Sequence, residues 1–320
     1  MLDAMLQVAT VLGLILCGVV ARRRGMISDA GAADLSRLML SLLYPAAIFV
    51  SVTRLDAADL AANAAVPALV AALFLLGFGV GALALRLAGG LDGRRARAFL
   101  FLNTVNNYVF LPLPIVLMSM GERGAGVLFL SSLGAEIVLW TLGIYLFVAH
   151  RPRAERRRHM LGAPMVTLLV AVAWVIARDR FGASLPEGLP GAGVLREAGR
   201  RAHFGMNVLG QAVVAVSALA AGSRIATLAP RTMLDARIWL VAALRLVVTP
   251  AIAVAALRLL PLEPVARGVL TVVAAMPCAI QSVIFSERFD GDGEFIAGSV
   301  LLTHLLAIAT VPLALRLALG

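Results

Sequence analysis

The chain has 320 residues, of which 61% are hydrophobic and 14% charged, and its mean hydropathy is +0.95. Soluble domains carry about 25% charged residues, so this balance excludes one and reads as an all-α polytopic membrane protein. The formal charge of +10 does not point to nucleic acid, because the 28 basic residues, all arginine, sit mostly in short segments between apolar runs, where they set topology.

At about 20 apolar residues per crossing, the pattern predicts ten spans, near 3–21, 33–53, 64–86, 97–118, 124–149, 161–178, 203–222, 236–257, 266–286 and 294–317. The first apolar run lacks a basic leader and meets Arg22-Arg23-Arg24 at once, so it reads as a retained span rather than a cleaved signal. Pro45 makes the second span irregular. In the third, Gly77-Phe-Gly-Val-Gly81 superficially matches a phosphate loop, but inside an apolar span such glycines serve close helix packing.

The fourth span contains Leu102-Asn-Thr-Val-Asn-Asn-Tyr-Val-Phe-Leu-Pro-Leu-Pro114. Proline lacks an amide hydrogen and clashes with the carbonyl four residues back, so Pro112 and Pro114 free the carbonyls of Tyr108 and Phe110. A second island, Ala275-Met-Pro-Cys-Ala-Ile-Gln-Ser282, lies in the ninth span, where Pro277 frees the carbonyl of Val273. Lipid satisfies neither, so both spans are expected to be broken helices surrounded by protein or a water-filled cavity. One break in corresponding positions of each half is the usual pointer to a transporter's binding site.

Between the islands, Glu136 lies in the middle of the fifth span, as a proton-coupling group or the partner of a base. The loop His150 to His159, with five arginines, divides the chain into a first set of five spans (1–149), a basic cytoplasmic linker (150–160) and a second set (161–320). Five is odd, so the second set enters the membrane from the opposite side, the condition for an inverted repeat. Arg245 in the eighth span is a candidate to neutralise Glu136 or meet a substrate carboxylate, and His304 in the tenth reads as a packing residue before a proton relay. Arginines number seventeen in the odd loops and ten in the even loops and C-terminus, which with the positive side inside places both termini outside. Cys17 and Cys278 both fall in apolar spans and suggest no disulfide.

A half-helix that begins after a break presents unpaired N–H groups and the positive end of its dipole, which favours an anion. Two such half-helices, after Pro114 and Pro277, would approach one midplane point from opposite sides. Asn103 and Asn106, three apart, share a helical face, and Asn107 sits nearer the break; Gln281 and Ser282 do the same in the second island. The bland alternative is that these amides only cap freed carbonyls. No catalytic residue, metal ligand set or cofactor motif is evident: the sequence lacks His-Glu-x-x-His and its four histidines are scattered, which argues against an intramembrane hydrolase.

These residues resemble the auxin efflux carrier family, bacterial branch, along nearly the full length. The likeness rests on Asn107-Tyr-Val-Phe-Leu-Pro-Leu-Pro114, on Met276-Pro277 leading to Phe285-Ser-Glu-Arg-Phe289, on Gly18-Val-Val-Ala-Arg-Arg-Arg-Gly25, on Leu43-Tyr-Pro45 and on Thr310-Val-Pro312. It implies ten helices in two inverted repeats of five, with scaffold and transport bundles drawn from both repeats and broken crossover helices 4 and 9. It also implies secondary transport of small organic anions such as auxin, malate or malonate across the inner membrane, by alternating access. The expected crossover site is Asn107, Pro114 and Pro277, extended by the islands to Asn103, Asn106, Pro112, Cys278, Gln281 and Ser282. Two departures are Pro112 at a family glycine position and Glu136 where relatives often carry a neutral amide. A sodium-coupled symporter of the bile acid type shares the architecture, so proton and sodium coupling stay open. The expected partners are the anion and membrane lipid, with a homodimer as a further expectation.

Overall fold

The computed structural model describes residues 2–53, 63–91, 93–109, 111–148, 152, 163–181, 192–227, 232 and 234–319. Phe110 and, apart from Pro152, the basic segment 149–162 lie outside the described residues. Among the described residues every regular element is helical.

Helix α1 (Leu2–Arg23) ends on Arg22 and Arg23, cations placed where the helix dipole is negative. Arg22 also bonds the Ile27 carbonyl at 3.0 Å and the Asp29 carboxylate at 2.5 Å, fixing the turn into α2 (Asp29–Leu38). A π-turn, Met39–Leu43, joins α2 to α3 (Tyr44–Thr53). Pro45 is the second residue of α3, and a proline without an amide hydrogen is accommodated by such a widened turn. The same device recurs where α10 (Ala236–Ala243) passes through the π-turn Leu244–Val248 into α11 (Thr249–Arg258), whose second residue is Pro250.

Helix α4 (Ala65–Ala88) buries Val66, Val70, Phe74, Gly77 and Gly81, one stripe at helical spacing, and leaves Leu75, Leu83 and Leu87 exposed. Helix α5 (Gly93–Thr104) stops short, and α6 (Pro112–Val138) begins eight residues later. Within α6, Gly121 takes φ 65° and ψ −163° and turns the chain sharply, a conformation closed to most side chains. The fourth expected span is therefore α5, a break and residues 112–120. The fifth begins after Gly121 and continues through the π-turn Leu139–Gly143 into α7 (Ile144–Val148).

In the second half, α8 (Ala163–Phe181) is followed by α9 (Ala192–Ile225). Helix α9 extends the seventh expected span backward into the arginine-rich segment that read as a loop. Glu197 pairs with Arg200 and Arg201 along the exposed helix face, and such i,i+3 and i,i+4 pairs support a helix in water. The ninth expected span is again two pieces, α12 (Pro264–Ala274) and α13 (Gln281–Arg288), and α14 (Gly293–Leu319) closes the chain.

Among the described residues, five helical stretches, Ala65–Ala88, Arg123–Val148, Glu197–Ser223, Ala236–Arg258 and Gly293–Ala314, are long and apolar enough to cross a membrane. Two packing groups emerge. Helix α1 lies along α9, and α3 packs against both α8 and α9; α4 packs against both α5 and α6, α12 bridges α6, α11 and α14, and α14 also touches α1 and α9. This helical, membrane-type architecture agrees with the composition.

Candidate functional site

The two breaks meet. Asn106, in the first, and Cys278, in the second, pair as an isolated antiparallel bridge, and the Asn107 amide donates to the Pro277 carbonyl at 2.9 Å. The Asn106 side-chain amide donates to the carbonyl of Val273, the group that Pro277 deprives of its helical partner. The Cys278 thiol sits 3.6 Å from the Leu102 carbonyl. Each interrupted helix thus supplies the groups that the other lacks, and Asn106, Asn107 and Cys278 are all buried.

The half-helices restart at other residues than the prolines alone suggest. Pro112 opens α6, a position where an amide hydrogen would be unpaired anyway, and Pro114 lies two residues on, still within the first turn. The second restart is at Gln281, four residues after Pro277, because residues 278–280 are spent on the bridge and on a turn that pairs Ser282 with Ala279 and Val283 with Ile280. Asn103 and Asn106 do not share a helical face, since α5 ends at Thr104. Asn103 instead donates to the Phe99 carbonyl at 2.9 Å within its own helix. It packs on α4, where a Cβ on Gly77 would stand 2.1 Å from the Asn103 carbonyl oxygen. The glycine run of α4 therefore serves the contact between α4 and the broken helix.

Beside the crossing lies a cavity of about 30 Å³, room for one or two waters. Its polar lining is Tyr44, Asn107, Tyr108, Ser132, Glu136 and Gln281. Glu136, 4% exposed, accepts from the Tyr108 hydroxyl at 2.6 Å, the Tyr44 hydroxyl at 2.9 Å and the Trp140 indole at 2.9 Å. The two tyrosine oxygens are 2.5 Å apart.

The expected pairing of Arg245 with Glu136 is not formed. Arg245 bonds three carbonyls of the broken helix ends, of Met276 at 3.2 Å, Asn103 at 3.1 Å and Ala274 at 2.9 Å, and among the described residues it forms no ion pair with a carboxylate. His304 bonds the Val300 carbonyl of its own helix at 2.9 Å and does not line the cavity. Ser282 is buried next to Gln281, and its hydroxyl has no partner among the described residues. Three participants, Tyr44, Tyr108 and Trp140, had no assigned role from the sequence; a tyrosine one residue before Pro45 in an apolar span was the available signal.

The family model described as membrane transport protein matches residues 3–160 and, a second time, residues 157–315. The chain belongs to the auxin efflux carrier family. As an auxin efflux carrier family member it is similar, at 22% identity over 315 residues, to an uncharacterized transporter of Methanocaldococcus jannaschii, covering 96% of each chain. It is also 23% identical over 307 residues to an uncharacterized transporter of Methanothermobacter thermautotrophicus, covering 96% of this chain and 95% of the relative. The family is one of membrane transport proteins, and both relatives carry the name transporter.

The crossing makes a geometric prediction of its own. Residues opposed in an antiparallel bridge have Cα atoms about 4.5–5.5 Å apart, within the range that a disulfide spans. Asn106→Cys in a Cys17→Ser background is expected to form a bond with the native Cys278 on oxidation, read by protection of both thiols from alkylation. Two thiols that stay alkylatable under denaturing conditions would show that the breaks do not meet.

Proposed function

We propose that this family member is a secondary carrier of small organic anions, of the auxin, malate or malonate type, that works by alternating access at the crossing. The observation that carries the reading is the division of the cavity wall: Tyr44, Ala47 and Ile48 come from α3, whereas Asn107, Tyr108, Glu136 and Gln281 come from the crossing and α6. A site walled by two packing groups opens when one moves against the other. At about 30 Å³ it must widen before a carboxylate enters. Asn107 and Gln281 supply neutral donors there, and α6 and α13 begin nearby with the positive ends of their dipoles.

In this reading the helices form ten spans in two inverted sets of five, in the inner membrane with both termini outside, as the arginine bias requires. Glu136 links cargo to protons. Two like charges about 4 Å apart cost about 4 kcal/mol at an effective dielectric of 20, so a cargo carboxylate shares the cavity only with a neutral Glu136. An inward proton gradient is then expected to accelerate uptake of labelled dicarboxylates or indole acids into proteoliposomes, and Glu136→Gln to be indifferent to it. Equal flux with and without the gradient in the native protein would contradict proton linkage, and no flux of any carboxylate would contradict the carrier reading.

A further inference from the structure

Arg245 is 2% exposed, and among the described residues no ion pair joins it to a carboxylate. Its guanidinium donates to three backbone carbonyls, with the Cys278 side chain also close by: Nε to the Met276 carbonyl and the two terminal nitrogens to the Asn103 and Ala274 carbonyls. Ala274 is the last residue of α12, Met276 lies in the break, and Asn103 lies in the last turn of α5. Each helix C-terminus carries about −0.5 of an elementary charge, so the two ends together offset one cation. A planar fork of five donors suits carbonyls fanned out in this way better than an ammonium.

The surroundings keep this place for the guanidinium. The π-turn Leu244–Val248 carries Arg245 at its second position. Gly77 lets the Asn103 carbonyl that Arg245 bonds lie close against α4, since a Cβ there would stand 2.1 Å from that oxygen. In carriers with discontinuous helices, unwound carbonyls and half-helix C-terminal ends are the groups that coordinate a transported sodium ion or proton. Here the same kinds of carbonyl are occupied by a side chain.

We propose that Arg245 is the resident cation of the crossing: a tethered charge that fills the carbonyl site an inorganic cation would take, ties both breaks into one body and makes the carrier independent of sodium. The inference rests on the reading of the crossing as the transport site, but its first test needs no cargo. The melting temperature of the purified native protein is expected to be the same in sodium chloride and in N-methylglucamine chloride. A sodium-specific rise would overturn the proposal, because a ligand that binds only the folded state stabilises it.

Arg245→Met is expected to melt lower than the native protein and to lose at least about tenfold in carboxylate counterflow, with Arg245→Lys recovering part of both. A methionine variant with native melting and native flux in sodium-free medium would overturn the proposal as well. Should the methionine variant fail to fold, the comparison of salts on the native protein still decides. Absence of carboxylate flux in every medium would sink the carrier reading and leave the melting comparison to judge Arg245.

Discussion

Asn107→Ala is expected to lower carboxylate flux by about 100-fold, equivalent to about 3 kcal/mol, in a protein that still folds. The separation of effects follows from which atoms of Asn107 do what. Its backbone amide holds the crossing through the Pro277 carbonyl at 2.9 Å and is untouched by the substitution. Its side chain makes a long contact, 3.3 Å, with the Leu111 amide at the start of α6 and otherwise lines the cavity. Losing the 3.3 Å contact costs about 1 kcal/mol of stability. Losing the amide removes from the cavity a donor and an acceptor that a carboxylate or its solvent would use. Flux and melting temperature measured on the same preparation check this; native flux in the variant would remove Asn107 from the site.

Glu136→Ala is expected to destabilise by about 3 kcal/mol and to lower the melting temperature by about 8 °C, the larger structural effect of the two. Three buried donors converge on this carboxyl, from Tyr44, Tyr108 and Trp140. After truncation one tyrosine hydroxyl, already 2.5 Å from the other, is free to donate to it, so the cost falls on the Trp140 indole and on one hydroxyl left without an acceptor. Glu136→Gln keeps an acceptor oxygen and is expected to lose about half as much. Thermal unfolding in detergent orders the three proteins as native, Gln, Ala. An alanine variant as stable as the native protein would mean that the cluster contributes no net stability.

The breaks were legible because proline and asparagine inside an apolar run leave few structural options. Pro112 and Pro277 each mark a helix interruption, and the coincidence of two islands in corresponding positions suggested that they meet. What the residues did not reveal was set by partners far away in the chain. Arg245 finds its carbonyls 29, 31 and 142 residues away, and a backbone acceptor leaves no trace in a side-chain pattern. The reading of Asn103 and Asn106 as one face failed because periodicity assumes that the helix continues, and α5 stops between them. Of the three π-turns among the described residues, those before Pro45 and Pro250 have a proline to announce them, whereas Leu139–Gly143 has none. It places Gly143 3.2 Å, measured from an added Cβ, from the Phe101 ring, a tertiary contact that no local rule shows. The N-terminal extension of α9 beyond the expected span at 203–222 is not legible in an apolar pattern, because it is an arginine-rich stretch held by the Glu197 pairs.

The central claim is that the crossing of the two broken helices takes a negatively charged cargo through the membrane. Counterflow of a labelled carboxylate into proteoliposomes, set against its uncharged methyl ester, tests it most directly. Saturable exchange of the anion, not competed by the ester and lost in Asn107→Ala, is the expected result; exchange that the ester competes equally, or that survives intact in the variant, would contradict it.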